Sequence, residues 1–211
     1  MSTTSIITIG REYGSGGREI GQKVAEELGI RFFDKELLEH AANDSGICKE
    51  LFENQDEKPT NSFLYSLVMD TYSFGYSSAA YSEMPLNHKV FLAQFDAVKK
   101  LASEGPCVMV GRCADYALAD NKDLFSVFVH GSMDARIARI SEKYIKTPKE
   151  SRDIINKTDK SRASYYNYYT NKKWGAAQSY HLCVDSSRLG IDGAVRTIIE
   201  AVSIFDSLKN K

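Results

Sequence analysis

The stretch ITIGREYGSGGREIGQKVAEELG, residues 7–29, decides the fold of this chain. It opens with β-branched apolar residues, continues through a loop rich in glycine, and closes with a helical pattern that ends at Gly29. The predicted order is strand, glycine loop, helix. Gly14, Gly16 and Gly17 allow several main-chain amides to converge on one anion at the positive end of the helix dipole. We therefore expect a phosphate-binding loop here, although ordinary turns also contain glycine clusters.

The rest of the chain repeats this alternation of short apolar runs and helical patterns. Runs typical of buried strands occur at 31–33, 107–110, 125–129 and 182–184. Together with the first run, they predict an α/β fold with a five-stranded parallel sheet and helices on both faces. Ligands of such folds bind at the carboxyl ends of the strands. The residues that follow the predicted strands are Gly10, Asp34, Gly111, Gly131 and Asp185.

The composition is that of one globular domain without a strong overall charge. The 211 residues are 43% hydrophobic, and Lys+Arg 27 against Asp+Glu 28 give a net charge of -1. Such a balance does not attract nucleic acid or a membrane surface, so neither is expected as a partner. There is no apolar run of the roughly 20 residues that span a membrane, no signal-peptide pattern and no Cys-x-x-Cys spacing, which predicts a cytoplasmic protein. A homo-oligomer is compatible with the sequence.

Several segments resemble one kinase family. ITIGREYGSGGREIG is similar to the N-terminal signature of the cytidylate kinase-like family, a branch of the P-loop nucleoside monophosphate kinases. The similarity continues in order through RFFDKELL, VMVGRCADYAL and VDSSRLGID. The resemblance implies a three-layer P-loop kinase sandwich with a helical acceptor-binding insertion at 34–104 and a lid at 145–165. It also implies ATP and Mg²⁺ as cofactors and a small-molecule nucleotide as substrate.

The glycine loop departs from the phosphate-loop pattern G-x-x-x-x-G-K-[ST]. With the second glycine of the pattern aligned on Gly16, Arg11 stands at the first glycine and Gly17 at the lysine. Arg18 or Arg11 could supply the missing charge, and the loss of the lysine is either functional or inactivating. We predict Arg18 as a catalytic residue, and Ser15 as the candidate magnesium ligand because it is the only serine in the loop. The residues assigned to the cofactor in this loop are Gly14, Ser15, Gly16, Gly17 and Arg18.

Acidic and basic residues after the second and third predicted strands are candidates for the acceptor site. Arg112 follows a glycine, as in the Gly-Arg pair of cytidylate kinases, which implies contact with the acceptor and a catalytic role. Asp115 lies two positions later than the acid of the family's Gly-Arg-Asp order, so a structural pairing is an alternative to substrate binding. The resemblance also implies a substrate-binding role for Asp34, which a helix N-cap explains equally well.

Charged residues before and within the predicted lid resemble the family pattern as well. Arg136 and Arg139 match an R-x-x-R that leads into the lid, which implies cofactor binding, whereas a solvated helix face is the alternative. Asp159 and Arg162 match part of the R-D-x-x-D-x-x-R pattern. The resemblance implies substrate binding by Asp159 and stabilisation of the transferred charge by the catalytic Arg162. We predict that the tyrosines at 165–169 pack in a core or interface rather than stack on bases.

The function expected from these features is phosphoryl transfer from ATP to a nucleoside monophosphate, with cytidylate implied by the resemblance. Three alternatives stay open. The acceptor is another small phosphate compound; the protein is a nucleotide- or anion-binding sensor that lost transfer together with the loop lysine; or it is an interaction module whose glycine loop is only a turn.

Overall fold

The computed structural model describes residues 3–34, 43–44 and 86–209. Most of the predicted acceptor insertion, 34–104, therefore lies outside the described residues. The strands are β1 (Ile6–Arg11), β2 (Arg31–Phe33), β3 (Cys107–Val110), β4 (Leu124–His130) and β5 (Leu182–Asp185). The helices are α1 (Gly17–Leu28), α2 (Leu86–Ser103), α3 (Ala114–Ala117), α4 (Met133–Tyr144), α5 (Pro148–Thr170) and α6 (Ser186–Lys209), and a 3₁₀ turn spans Ala177–Ser179. Within this part of the chain, none of the helices combines the length and the apolar character needed to cross a bilayer.

The five strands form one parallel sheet in the order β2-β3-β1-β4-β5. The predicted five-stranded parallel sheet is confirmed. β1 is central, since Ile6 is the partner of Cys107 in β3 on one side and of Leu124 in β4 on the other. The chain leaves β1 toward one edge of the sheet and later continues on the other side. The loops after β1 and β3 therefore lie at a topological switch point, where α/β proteins bind their ligands.

Helices cover both faces of the sheet because every central strand is apolar on both faces. Ile7 and Ile9 of β1 pack with Val108 of β3 in a core that α1 and α6 cover. Ile6 of β1 and Met109 of β3 face the opposite core, which contains residues of α2 and α5. Each fully buried aliphatic side chain contributes about 1.5–3 kcal/mol relative to exposure, so the two cores hold the sheet rigid beneath the loops.

The polar stretch that was predicted as a lid at 145–165 lies mostly in α5. Thr147 caps this helix in a capping box with Glu150, and Pro148 occupies the first turn. Ile155 is fully buried against Ile137 of α4, so the N-terminal half of α5 is attached to α4. The lid function of this helix stays a prediction.

Candidate active site

The loop between β1 and α1 adopts a backbone that favours glycine at two positions. Gly14 has a φ angle of 82° and Gly16 one of 81°, both in the left-handed region. A Cβ atom on Gly16 would lie 2.5 Å from Cδ1 of Ile191, and one on Gly14 would lie 3.1 Å from the carbonyl oxygen of Arg136. The loop thus presents main chain rather than side chains at the N-terminus of α1. The N-terminus of a helix is suited to an anion, because main-chain amides and the helix dipole both favour negative charge there.

Ser15 is buried within this loop and shapes it. Its hydroxyl donates to the carbonyl oxygen of Glu12 at 2.8 Å and accepts from the amide of Gly17 at 3.3 Å. Its own carbonyl oxygen accepts a 2.6 Å hydrogen bond from the hydroxyl of Ser186, at the start of α6. Sequence reasoning missed this contribution of Ser186, although the residue lies in the quoted VDSSRLGID segment. The assignment of Ser15 to magnesium stays a prediction.

Arg136 lies beneath the loop and is almost fully buried. Its Nε donates to the carbonyl oxygen of Tyr13 at 2.8 Å, its Nη1 lies 3.1 Å from a carboxylate oxygen of Glu12, and its Nη2 pairs with the carboxylate of Asp159. Asp159 also accepts from the amide of Tyr13 at 2.7 Å. The same Glu12 carboxylate oxygen accepts from the amide of Gly131 at 3.0 Å. We call Arg136, Glu12, Tyr13 and Asp159 the Arg136 cluster.

The Arg136 cluster changes how two predicted site residues are interpreted. Arg136 was assigned to the cofactor and Asp159 to the substrate, and in the structure both bind the glycine loop itself. Each nitrogen of the guanidinium group faces a protein acceptor, so Arg136 positions the loop rather than facing an open site. The sequence analysis missed Glu12 and Tyr13, for which the motif contained no signal of long-range pairing. Burial and a hydrogen bond to Tyr144 raise the pKa of the Tyr13 hydroxyl to about 12, so it remains protonated.

Two predicted arginines lie on opposite sides of the loop. The guanidinium of Arg139 would be 3.3 Å from a Cβ on Gly16, and its Nη1 is 3.4 Å from the carboxylate of Glu19. This side chain is 37% exposed and lies over the glycine loop. Arg18 is directed elsewhere, since its Nε donates to the buried carboxylate of Asp34 at 2.6 Å. Arg18 and Asp34, predicted for donor and acceptor, therefore bind each other at the end of β2.

A small pocket that opens to solvent lies between the carboxyl ends of β1 and β3 and the side of α5. Arg11, Arg112 and Arg162 all line it. Nη1 of Arg162 donates to the carbonyl oxygen of Arg11 at 3.2 Å, which links α5 to the end of β1. Three arginines around one small pocket favour an anionic ligand with several oxygens. The structure thus brings the predicted Arg112 and Arg162 together and adds Arg11.

The turn that carries Arg112 has an unusual backbone. Gly111, Arg112 and Cys113 have φ angles of 77°, 56° and 52°, so three successive residues lie in the left-handed region. For the two residues that are not glycine, this conformation costs about 1–3 kcal/mol each. The Arg112 side chain is nearly buried at the pocket. Local strain that holds a buried arginine at a pocket is typical of a ligand-binding turn.

Asp115, the first acidic residue after this turn, is buried at the same pocket. Its carboxylate accepts a 2.6 Å hydrogen bond from the hydroxyl of Tyr166. The ring of Tyr166 is stacked with that of Tyr180, and the two ring centroids are 6.0 Å apart. Burial raises the pKa of Asp115, an effect that the hydrogen bond from Tyr166 partly offsets. Burial, followed by the charge of Asp115, raises the pKa of Tyr166. Asp115 therefore both pairs with Tyr166 and lines the pocket.

The tyrosines at the end of α5 pack mainly in the core, as predicted. Tyr165, Tyr166 and Tyr169 are buried, and the ring of Tyr169 stacks on Phe91 of α2 at 3.9 Å with an interplanar angle of 9°. Trp174 packs edge-on against the sheet at Phe128. These rings join α2 and α5 to one face of the sheet.

The arrangement fits the phosphates of a nucleoside triphosphate. The glycine loop offers amides at a helix N-terminus, Arg139 lies over it, and the pocket with Arg11, Arg112 and Arg162 adjoins the end of the same strand. Across residues 3–34, 43–44 and 86–209, no three His, Cys, Asp or Glu side chains are grouped as a metal site. Magnesium in phosphoryl-transfer sites takes most of its ligands from phosphate oxygens, waters and one or two carboxylates, so such a group is not required.

The fold and the site define the class of protein. A parallel sheet with a glycine loop after its central strand, helices on both faces and arginines around the switch point is the P-loop kinase fold. Within that class, the chain belongs to the cytidylate kinase-like family, whose profile matches residues 6–188. No curated protein sequence matches the chain at a significant level.

Solved structures share this fold over almost the whole chain. The crystal structure of an uncharacterized protein from Eubacterium ventriosum is 27% identical, covers 94% of this chain and 98% of its own, and gives a TM-score of 0.69. A gluconokinase from Sinorhizobium meliloti is 16% identical, with 100% and 98% coverage and a TM-score of 0.56. A shikimate kinase from Bacteroides thetaiotaomicron is 16% identical, with 94% and 98% coverage and a TM-score of 0.53. At that identity, the two kinases show the shared fold alone.

Proposed function

We propose that this protein transfers the terminal phosphoryl group of ATP to a small anionic acceptor, with a nucleoside monophosphate of the cytidylate type as the first candidate. The observation that carries the proposal is the position of the pocket. Arg11, Arg112 and Arg162 line it beside the glycine loop, where donor and acceptor phosphates would meet. Phosphoryl transfer needs positioned cations more than it needs covalent or acid–base groups, and this site offers such cations.

The described residues support distinct parts of this reaction. The glycine loop, from Gly14 to Gly17, would bind the donor phosphates, with Arg139 above it and Arg18 at its edge. In transfer, an oxygen of the acceptor forms a bond to the terminal phosphorus while the bond to the bridging oxygen breaks and ADP leaves. Arg162 would stabilise the transferred group, and Arg112 the acceptor. Magnesium, when bound with ATP, supplies neutralisation of the phosphate charge.

Several classes of small molecule are candidates for the acceptor. Asp115 and its partner Tyr166 line or adjoin the pocket and could accept and donate hydrogen bonds to a base, a sugar or a hydroxy acid. The fold is shared with kinases named for gluconate and shikimate. A second candidate function, nucleotide binding without transfer, is favoured by Gly17 at the position of the loop lysine.

The experiment measures ADP release from ATP and Mg²⁺ by the purified protein with CMP, dCMP, UMP, AMP, GMP, gluconate and shikimate. We expect selective turnover with one nucleoside monophosphate, and its loss in Arg112→Ala at acceptor concentrations near the wild-type KM. The matched control is Arg196→Ala, an exposed arginine on α6, which should leave turnover unchanged. Turnover with gluconate or shikimate alone would show that the acceptor is a hydroxy acid and not a nucleoside monophosphate. ATP binding without turnover on any acceptor would identify the binding protein, and the absence of ATP binding would refute both functions.

A further inference from the structure

Arg11 and Gly17 stand at two positions of the loop where the phosphate-loop pattern has the opposite arrangement of glycine and cation. The phosphate-loop pattern has glycine where this chain has Arg11, and lysine where it has Gly17. In the structure these two positions are direct neighbours. A Cβ on Gly17 would lie 2.5 Å from Cβ of Arg11, 3.2 Å from its Cγ and 3.3 Å from Cβ of Val129.

This distance excludes side chains at both positions. Cβ atoms of folded proteins essentially never approach a neighbouring heavy atom closer than 3.0 Å, and neither partner in this contact is the flexible end of a side chain. Gly17 is the first residue of α1 and its φ angle is not positive, so its backbone is an ordinary helical one. The requirement for glycine at position 17 therefore comes mainly from the side chain of Arg11, with a lesser contribution from Val129, and not from the local turn.

We propose that Arg11 and Gly17 are a transposed pair, in which the loop's cation has moved from position 17 to position 11 and Arg11 contacts the donor phosphates in place of the lysine. This inference rests on the function proposed above and adds a catalytic residue to it. Arg11 ends β1, so its side chain leaves the sheet at the first turn of α1. It lines the same pocket as Arg112 and Arg162.

The surrounding contacts favour Arg11 over Arg18 for this role. Arg18 lies in the first turn of α1 with a 56% exposed side chain, and its Nε is bound to Asp34. The Arg11 side chain instead begins against the start of α1, with its Cβ and Cγ over Gly17. Its guanidinium has five donors in a planar fork, and so it can bind two phosphate oxygens at once where an ammonium acts as a point charge. The loop then keeps a positive charge without the lysine, because Arg11 supplies it from a different position.

The steric part of the inference is tested by thermal unfolding of Gly17→Ala, Arg11→Gly and the double variant. Gly17→Ala adds only the Cβ, and we expect it to lower the Tm in the presence of Arg11 and to be tolerated, or stabilising, in the Arg11→Gly background. A fall in Tm that depends on the presence of the Arg11 side chain indicates a direct collision between the two positions. An equal fall in Tm in both backgrounds would overturn the steric relation.

The charge part is tested by calorimetric binding of ATP with Mg²⁺, and of inorganic triphosphate, to the wild-type protein and four variants. We expect Arg11→Gly to weaken binding about tenfold or more, and the Arg11→Gly/Gly17→Lys double variant to recover most of it. Gly17→Lys alone should be less stable than wild type and should not bind more tightly. Arg11→Lys, which keeps the charge, should lose less affinity than Arg11→Gly.

Arg18→Ala provides the matched comparison for the competing arginine. If Arg18→Ala weakens triphosphate binding and Arg11→Gly does not, the transposition is wrong while the proposed function stands. If the wild-type protein binds neither ATP nor triphosphate, the proposed function and the phosphate role of Arg11 fail together. The Tm comparison still decides whether positions 11 and 17 exclude each other's side chains.

Discussion

Arg136 and Asp159 form a partly buried ion pair in which both residues also bind the main chain of Tyr13, one at its carbonyl oxygen and one at its amide. The pair connects three elements, because Arg136 lies on α4, Asp159 on α5 and Tyr13 in the glycine loop. Arg162, three residues after Asp159 on α5, donates to the carbonyl oxygen of Arg11 at the start of the same loop. A displacement of α5 would therefore change the loop that is proposed to hold phosphate.

Arg136→Met should destabilise the protein by about 1.5–3 kcal/mol, because the partly buried carboxylates of Glu12 and Asp159 and the carbonyl oxygen of Tyr13 lose their charged donor. Urea unfolding gives the free energy. The matched control is Arg139→Met, on the same helix but partly exposed and 3.4 Å from Glu19, which should cost less than about 1 kcal/mol. Equal losses in the two variants would contradict a special role for the buried cluster.

Arg162→Ala should lower kcat about 10²- to 10³-fold if its guanidinium stabilises the transferred phosphoryl group. Its effect on the Kd for ATP should be small by comparison, and Arg112→Ala should instead act mainly on the KM for the acceptor. Steady-state kinetics and ATP titration separate these effects. Arg152→Ala removes another arginine of α5, exposed and 3.9 Å from Asp134, and should change neither constant. A loss of ATP affinity equal to the loss of kcat would place Arg162 on the donor instead.

Ser15→Ala should lower the free energy of unfolding by about 1–2 kcal/mol, because it leaves the buried Gly17 amide without its acceptor and removes one of the two hydrogen bonds to the Glu12 carbonyl oxygen. The magnesium concentration that gives half-maximal turnover should stay unchanged. Ser207→Ala, an exposed serine on α6, is the control and should leave stability within about 0.5 kcal/mol. Unchanged stability with a higher magnesium requirement would instead support the assignment of Ser15 as a metal ligand.

Asp115 should make the protein less stable as the pH rises. Burial raises the pKa of this carboxyl above its ordinary 3.8, so between the two values the folded chain holds a proton that the unfolded chain has released. The stabilisation is complete below pH 3.8 and is lost as the pH rises through the folded pKa. Asp115→Asn, whose amide oxygen can still accept from Tyr166, should remove this slope from urea unfolding measured across the pH range.

Tyr166→Phe tests the same carboxyl from its partner. Removing the hydroxyl deletes a hydrogen bond that lowers the pKa of Asp115, so the loss of stability should extend to higher pH than in the wild-type protein. The Asp115→Asn/Tyr166→Phe double variant should show no additional slope. If the pH profile of Asp115→Asn equals that of the wild-type protein, the raised pKa is wrong.

The central strands could be predicted closely because they are buried on both faces of a parallel sheet. The predicted runs at 31–33 and 107–110 coincide with β2 and β3, and the run at 125–129 lies within β4. Near-continuous apolar runs of this kind have few alternatives. α5 was harder to predict, since its polar sequence has a weak helical period and was interpreted as a lid. The Thr147–Glu150 capping box was the local signal of its first turn.

The candidate site was predictable only in part. Arg136 and Arg139 are spaced three residues apart and were assigned one function, yet the structure encloses the first beneath Tyr13 and leaves the second exposed over Gly16. A rotation of 60° around a helix is enough to separate a buried position from a solvated one. Sequence spacing cannot resolve that difference, because it depends on where α4 meets the loop and α5.

The sequence by itself determined the order of the elements, the parallel sheet and the location of the glycine loop, because apolar periodicity and glycine backbone preferences act over a few neighbouring residues. Only the tertiary structure decided which charges serve the loop. Arg136 meets Asp159, and Arg18 meets Asp34, across long separations in the chain, and Arg11 excludes a side chain from position 17 only once β1 and α1 are packed. How deeply a charged side chain is buried, and which groups it contacts, are determined by that packing. These two properties distinguish an arginine that holds a loop from one that can hold a phosphate.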